Sequence, residues 1–424
     1  MDVLIDLSAV LFLGVLTIYI GSTALMYNRR TLLARRTHDL QREKLRAEIE
    51  LISDRRRIER ERSELSWNGF RKFEIQQKNI EAEGVCSFYL HPHDGKSLPP
   101  FEPGQFLTFN LPIPGEPKPI VRCYSLSDSP NHPDYYRVSI KRVPPPRDKP
   151  ELPPGRSSNF FHDQLNVGDI VDVKAPSGHF YLDTSSHSPV VLIGGGVGLT
   201  PVLSMLNTIV EQGSKRETHF FYGVVNGGDH AFPEHLNTLA KENENIHLHV
   251  CYSNPEEGDV VGENFQHDGR VSIDLFKEVL DSSNYDYYLC GPPPMMNSLV
   301  TGLEEWGVPE KNIHFEAFGP ASVKKTADAG TKDGAAAGQT FNVTFARSNK
   351  KVQWSGDSGS ILELAEANGI VNIDSGCRAG NCGSCLTAVK EGEVNYLNDP
   401  GSAPEDGSCH ACITVPKSDV IIDA

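Results

Sequence analysis

The stretch Cys377-Arg-Ala-Gly-Asn-Cys382-Gly-Ser-Cys385, completed by Cys412, decides how the C-terminal part of this chain is built. Its spacing is C-x4-C-x2-C, followed by a long gap to one more cysteine. Thiolates at these intervals suit a [2Fe–2S] cluster: one loop wraps the iron pair and the last ligand arrives from elsewhere in the fold. Ala379, Gly380, Gly383 and Ser384 are small enough to let backbone N–H groups turn towards the cluster sulfurs. Four buried free thiols, or two disulfides, rarely reproduce such a spacing.

The segment from Gln339 to Ala424 resembles the plant-type ferredoxin domain, which implies an α+β, β-grasp-like fold over residues 339–424. Residues 413–420 (ITVPKSDV) look like that family's closing strand. The resemblance selects Cys412 over the nearby Cys409, so the implied metal ligands are Cys377, Cys382, Cys385 and Cys412. The segment carries six Lys/Arg against eleven Asp/Glu, which favours an acceptor with a basic face.

At 424 residues the chain has room for several domains, and 38% hydrophobic content fits packed globular units. Beyond the proposed ligands, Cys86, Cys123, Cys251, Cys290 and Cys409 show no regular spacing, and a reducing cytosol suits thiols and cluster alike. A net charge of −16 speaks against nucleic acid as a partner. The fifteen histidines show no metal spacing, and His91/His93 and His247/His249 read as ordinary strand or loop residues.

Leu7 to Met26 is an uncharged run of 20 residues, about 30 Å as a helix and enough to cross a bilayer's hydrocarbon core. Positive charge follows it at Arg29, Arg30, Arg35 and Arg36 rather than preceding it, which reads as an anchor and not as a cleaved signal. The expectation is a single-pass transmembrane helix over residues 1–27 in a lipid bilayer, with the catalytic domains cytoplasmic. Residues 28–66 read as a basic helical stalk; from Asn28 to Arg62 there are twelve Lys/Arg against seven Asp/Glu.

From Trp67 the texture changes to short apolar runs broken by Gly and Pro, the pattern of a small antiparallel barrel over residues 67–184. Within it, Arg122, Tyr124, Ser125 and Ser127 offer a cation for phosphate, a ring to lie on a planar ligand and hydroxyls for ring nitrogens. The proline-dense segment 143–154 forbids a central strand and reads as an extended loop. Pro189–Pro201 (PVVLIGGGVGLTP) is a buried strand running into a glycine turn and a helix. Gly194, Gly196 and Gly198 allow a pyrophosphate close to the helix N-terminus, with Thr200 beside it. Strands alternate with helices downstream, so residues 185–320 are expected to form an α/β parallel-sheet domain. Residues 321–338 are small and polar, a flexible linker.

The segment from Trp67 to about Pro320 resembles the ferredoxin–NAD(P) reductase superfamily, most of all the reductase half of bacterial flavohemoglobins. The matching stretches are W-x-G-F-R-K-F at Trp67–Phe73, P-G-Q-F at Pro103–Phe106, R-x-Y-S at Arg122–Ser125, G-R-S-S-N-F-F-H at Gly155–His162, C-G-P-P-P-M-M at Cys290–Met296 and H-F-E-A-F-G at His314–Gly319. The resemblance implies FAD in preference to FMN, held by Arg122, Tyr124 and Ser125, with Gly155 and Ser158 at the pyrophosphate. It implies that Cys290, followed by Gly291 and Pro292, lies beside the nicotinamide carbon, that Phe318 covers the flavin ring, and that Glu316 orients the nicotinamide or relays a proton. Cys290, Glu316 and Ser125 are therefore the expected catalytic residues. The carboxylates Glu256 and Glu257, with no arginine nearby, favour NADH over NADPH. Relatives often carry Arg where this chain has Val225, which removes one nucleotide contact. No globin precedes the reductase region, which sets aside oxygen or nitric oxide chemistry by a flavohemoglobin route.

The expected function is a membrane-anchored NADH-dependent reductase passing electrons from NADH to FAD to [2Fe–2S] and on to an acceptor protein such as an oxygenase. The alternatives are an NADH:quinone-type reductase or a tethered redox sensor.

Overall fold

A computed structural model describes residues 2–145, 150–317, 340–378, 380, 382–397, 404 and 406–424, without the side chains of residues 2–11 and of a few other helix positions. The expected linker and Phe318 lie outside the described residues.

The chain divides into two units, 1–64 and 65–424. The first is one helix, Asp2–Leu65, free of proline and rich in Leu, Arg and Glu, all good helix formers. Its apolar side chains Phe12, Leu13, Ile18 and Leu25 are exposed. Among the described residues no helix is long and apolar enough to cross a membrane, so the expected transmembrane helix is not found there. The reason is length: from Phe12 the apolar stretch ends at Tyr27, before Asn28 and Arg29. That is about 24 Å of helix against a hydrocarbon core of about 30 Å. The side chains of residues 7–11, which would complete the span, lie outside the described ones.

The second unit opens with a six-stranded antiparallel sheet. Its strands run, in spatial order, Ile120–Ser125, Phe106–Leu111, Ile170–Val173, Arg71–Ala82, Val85–Pro92 and Tyr136–Lys141. An antiparallel bridge between Leu126 and Val138 joins the two edges and closes the sheet on itself, which removes the exposed strand edges. The interior is aromatic. Phe161, fully buried on the helix Arg156–Asp163, meets Phe88, Phe109 and Tyr124 at ring distances of 5.2, 5.3 and 5.2 Å, all edge to face. It thus fixes the Gly155–His162 segment against the strand that carries Tyr124.

A second six-stranded sheet follows and is wholly parallel. Its order is His267–Asp268, Ile246–Tyr252, Thr218–Val224, Val190–Gly195, Asp286–Gly291 and Ile313–Ala317. The strand Val190–Gly195 is buried along its whole length, as a central parallel strand requires. Barrel and parallel sheet are joined through Asp128. Its carboxylate accepts from Asn207 Nδ2 at 2.8 Å and pairs with Arg137 at 3.3 Å, and its carbonyl accepts from Ser204 Oγ at 2.6 Å. A buried carboxylate tied on this many sides is compensated rather than costly.

The C-terminal module has a five-stranded mixed sheet, ordered Lys350–Ser355, Thr340–Phe345, Val420–Ile422, Leu386–Glu391 and Ser408–His410. The last strand enters parallel to the first, beside it, and a short helix, Ile361–Ala367, covers the sheet. Ser360 and Glu363 start that helix with a reciprocal capping box.

Removing the Phe161 ring should leave a void shared by three aromatic neighbours. Phe161→Ala is expected to cost about 3–5 kcal/mol. Thermal unfolding followed by barrel tryptophan fluorescence checks this, and an unchanged transition would show that the ring cluster does not hold the barrel.

Candidate active site

The principal cavity, about 1070 Å³, has three walls. One is the barrel strand with Arg122, Cys123, Tyr124 and Ser125, extended by Gly155, Ser157 and Ser158 from the start of the aromatic-bearing helix. Val197, Thr200 and Glu316 reach it from the parallel sheet. The third wall is the cysteine loop, through Gly376, Cys377 and Arg378. The C-terminal module is fastened to the first wall by Lys118, whose ammonium donates to Val371 O at 2.5 Å and to Asp374 Oδ1 at 2.7 Å.

Arg122 donates to Val121 O at 2.8 Å and has no carboxylate partner among the described residues. Burial, and then the nearby Arg378 cation, lower its pKa from the usual guanidinium value. A sequestered cation with no carboxylate in hydrogen-bond contact among the described residues is a ready seat for a phosphate group. On the same face burial pushes the Tyr124 phenol well above the usual range, so it stays neutral. Ser158 Oγ accepts from Val143 N at 3.2 Å and shapes the turn at the head of the helix. These residues and the cavity's size fit FAD.

Ser127 is placed elsewhere. It is fully buried, its hydroxyl 2.8 Å from Ser139 Oγ and 3.2 Å from Arg137 Nε, and its N–H is consumed in closing the barrel. It supports the flavin strand from behind and does not line the cavity.

At the nucleotide turn, glycine is required by close backbone approach. A Cβ on Gly198 would lie 2.3 Å from Cys290 O, and one on Gly195 2.8 Å from Pro292 Cδ. Gly196 has φ +54° and opens the turn that the helix Leu199–Glu211 continues. Gly194, Gly196, Gly198, Gly291 and Pro292 thus form a tight crossing at the C-terminal ends of two neighbouring strands, where parallel sheets bind nucleotides. Cys290 pairs in register with Gly194 on one side and Glu316 on the other. It is fully buried, and burial pushes its thiol well above the usual range, so it is a neutral thiol behind the cavity wall. Glu316 Oε2 is buried with no hydrogen-bond partner, and burial pushes the carboxyl up to about 8. A buried acid oxygen facing a cavity awaits a ligand's donor or acceptor.

The loop brings its cysteines together. Cys377 N donates to Cys382 Sγ at 3.2 Å and Cys382 N to Cys377 Sγ at 3.3 Å. Cys385 Sγ and Cys412 Sγ lie 3.1 Å apart, and the hydrogen bond between them draws the Cys385 thiol down to about 7 while pushing Cys412 up. Hydrogen bonding from the thiols of Cys123 and Cys377 holds Cys382 far below the usual thiol range. An all-cysteine donor set in which Cys382 and Cys385 are drawn towards thiolate fits an iron–sulfur cluster. Cys409 is packed in the module's core opposite Thr387, with burial pushing it up to about 12.

Sequence reasoning missed Cys123, Lys118 and Arg378. The first occupies the variable position of R-x-Y-S, and its sulfur reaches the cysteine loop; a thiol at that position was the available signal. The other two depend on contacts between residues about 250 apart and have no local signature.

Residues 72–181 match the oxidoreductase FAD-binding domain, 192–301 the oxidoreductase NAD-binding domain and 343–417 the 2Fe-2S iron-sulfur cluster binding domain. The chain is 40% identical over 255 residues to a flavohemoprotein of Halalkalibacterium halodurans, a match covering 60% of this chain and 61% of that protein. The match thus spans about three fifths of the relative's length. Among solved structures, the flavohem-like FAD/NAD-binding domain of nitric oxide dioxygenase from Vibrio cholerae is 31% identical at a TM-score of 0.53. That likeness covers 60% of this chain and all of that one. Phthalate dioxygenase reductase, a modular structure for electron transfer from pyridine nucleotides to [2Fe–2S], is 28% identical at a TM-score of 0.52. It covers 84% of this chain and 98% of its own. These domains make the chain an NAD(P)H-dependent oxidoreductase with a FAD-binding domain, an NAD-binding domain and a 2Fe-2S cluster-binding domain. It belongs to the ferredoxin-reductase family of FAD- and NAD-binding oxidoreductases, here continuous with a 2Fe-2S domain.

Proposed function

We propose that this protein is a membrane-anchored, NADH-dependent reductase that converts hydride into single electrons for an acceptor protein such as an oxygenase. The observation that carries the reading is the cavity shared by the Arg122–Ser125 strand, the nucleotide-side residues Thr200 and Glu316, and the cysteine loop at Cys377. FAD supplies acceptance of a hydride and release of its electrons one at a time, and the cluster carries them singly.

The residues of the chain supply positioning and charge. Arg122 neutralises phosphate oxygens, while the turn of Gly155 and Ser158 accepts the remainder of the pyrophosphate. Tyr124 lies against the ring system and Ser125 offers a hydroxyl to a ring nitrogen. The nicotinamide would enter the cavity beside Val197, Thr200 and Glu316, and the neutral Cys290 thiol, buried behind that wall, backs it without competing as a nucleophile. Glu316 holds its proton at Oε2 at neutral pH and presents it to the cavity. Cys377, Cys382, Cys385 and Cys412 hold the iron pair. Carboxylates at Glu256 and Asp259, the first accepting from Asn226 Nδ2 at 2.6 Å, disfavour a 2′-phosphate and support NADH over NADPH.

Anchoring rests on the uncharged Leu7–Met26 run and the arginines behind it. The acidic 2Fe-2S module supports a basic face on the acceptor.

Two measurements test the reading. Cys382→Ser should abolish NADH-driven reduction of cytochrome c while NADH still bleaches the flavin band; loss of both in a folded protein would contradict the order of carriers. The second concerns Glu316. Its folded-state pKa of about 8 lies above the unfolded carboxylate value, so its stabilising contribution is complete at low pH. That contribution is lost as pH rises through about 8. Glu316→Gln should therefore flatten the fall in melting temperature between mildly acidic and mildly alkaline pH, and an unchanged profile would show that Glu316 ionises freely.

A further inference from the structure

On the parallel sheet, away from the cavity, two neighbouring strands place His219 and His247 directly side by side in register. Their rings stack at 4.7 Å with 30° between planes. Glu217, just before the first strand, puts Oε1 3.0 Å from His219 Nε2. One ligating atom from each of Glu217, His219 and His247 lies within 4.8 Å of the others. Bond lengths of about 2.0–2.1 Å around a tetrahedral ion imply ligand separations of roughly 3.3 Å, which small side-chain rotations reach.

The surroundings orient these atoms. His219 uses its other nitrogen, Nδ1, at 3.2 Å from His249 Nε2, and His249 Nδ1 lies 3.2 Å from His267 Nε2. Tyr285 OH donates to Glu217 Oε1 at 3.0 Å. Such backing of His219 and Glu217 by a second hydrogen bond is the pattern that fixes ligand tautomer and aim in metal centres. Burial lowers the pKa of His219 and His249, which keeps both imidazoles neutral as ligation requires. His247 is exposed and makes no hydrogen bond among the described residues, so it is free to turn and leaves a position open to water. All three ligands sit at the starting ends of the strands, whereas the nucleotide crossing sits at the finishing ends.

We propose that Glu217, His219 and His247 form a binding site for a first-row divalent cation of borderline softness, such as Zn²⁺, which clasps the two strands together. Two imidazoles and one carboxylate suit this class; a hard ion such as Mg²⁺ would require an oxygen set. Loading should stabilise the folded chain by mass action.

The test is equilibrium dialysis of the full-length protein, flavin and cluster loaded, against Zn²⁺, with metal content and melting temperature measured together. The expected result is one Zn²⁺ per chain and a raised melting temperature. His247→Ala should abolish both, and Tyr285→Phe, through lost orientation of Glu217, should weaken uptake about tenfold. Neither residue lines the cavity, so flavin and cluster content should be unchanged in both variants and reports that they fold. The proposal is overturned if the protein takes up no zinc, if His247→Ala binds as the parent does, or if uptake disappears in His132→Ala instead. That last variant removes the other histidine–carboxylate group, formed with Asp128 and Glu211.

Discussion

The centre of this molecule depends on how firmly the cysteine loop is held against the flavin strand. The charged contact is Lys118 with Asp374, and both side chains are about half exposed. An ion pair of that kind is worth about 0–1 kcal/mol, too little to fix a domain. Apolar side chains add to it: Ile120 from the flavin strand and Ile370, Val371 and Ile373 from the C-terminal module line the cavity on facing sides. Closure therefore rests on modest apolar burial steered by one weak pair, and a small, partly polar interface of this sort permits relative motion. That balance is what the proposed role asks of a carrier that receives an electron in one position and releases it in another.

Cys123 gives the contact a chemical character. It lies between Arg122 and Tyr124 on the flavin strand, is 3.4 Å from Thr108 Oγ1, and its thiol hydrogen-bonds to Cys382. That bond pushes Cys123 upward and holds Cys382 down, so the proton stays on the flavin side and the thiolate character on the cluster side. The sulfur that helps hold iron is consequently polarised by the strand that supports the flavin.

How far all this was legible in the sequence depended on whether the relevant residues are close along the chain. The cysteine loop, the glycine turn and the R-x-Y-S strand each bring their groups together within a dozen residues; spacing located the first, and the family resemblance gave the other two their roles. The Ser127 assignment went astray because the strand continues past Ser125 into the bridge that closes the barrel, where a hydroxyl is needed inside the protein rather than in the cavity. The grouping of the histidines is set by the fold for a related reason. His247 and His249 alternate on one strand, and His219 reaches them only through parallel pairing across 28 residues. Lys118 and Asp374 meet across still greater separation. The N-terminal run was read as a complete span, yet its described part is too short on its own.

The joint at Asp128 has a different consequence. Its carboxylate and carbonyl bind Asn207, Arg137 and Ser204, and Tyr135 adds its phenol at 3.1 Å. A charge committed on so many sides inside the protein resists being pulled apart, since any opening would strand it without water. The barrel and the parallel sheet therefore behave as one solid block. Any ligand shared by barrel and sheet thus meets walls whose spacing is set once, when the chain folds.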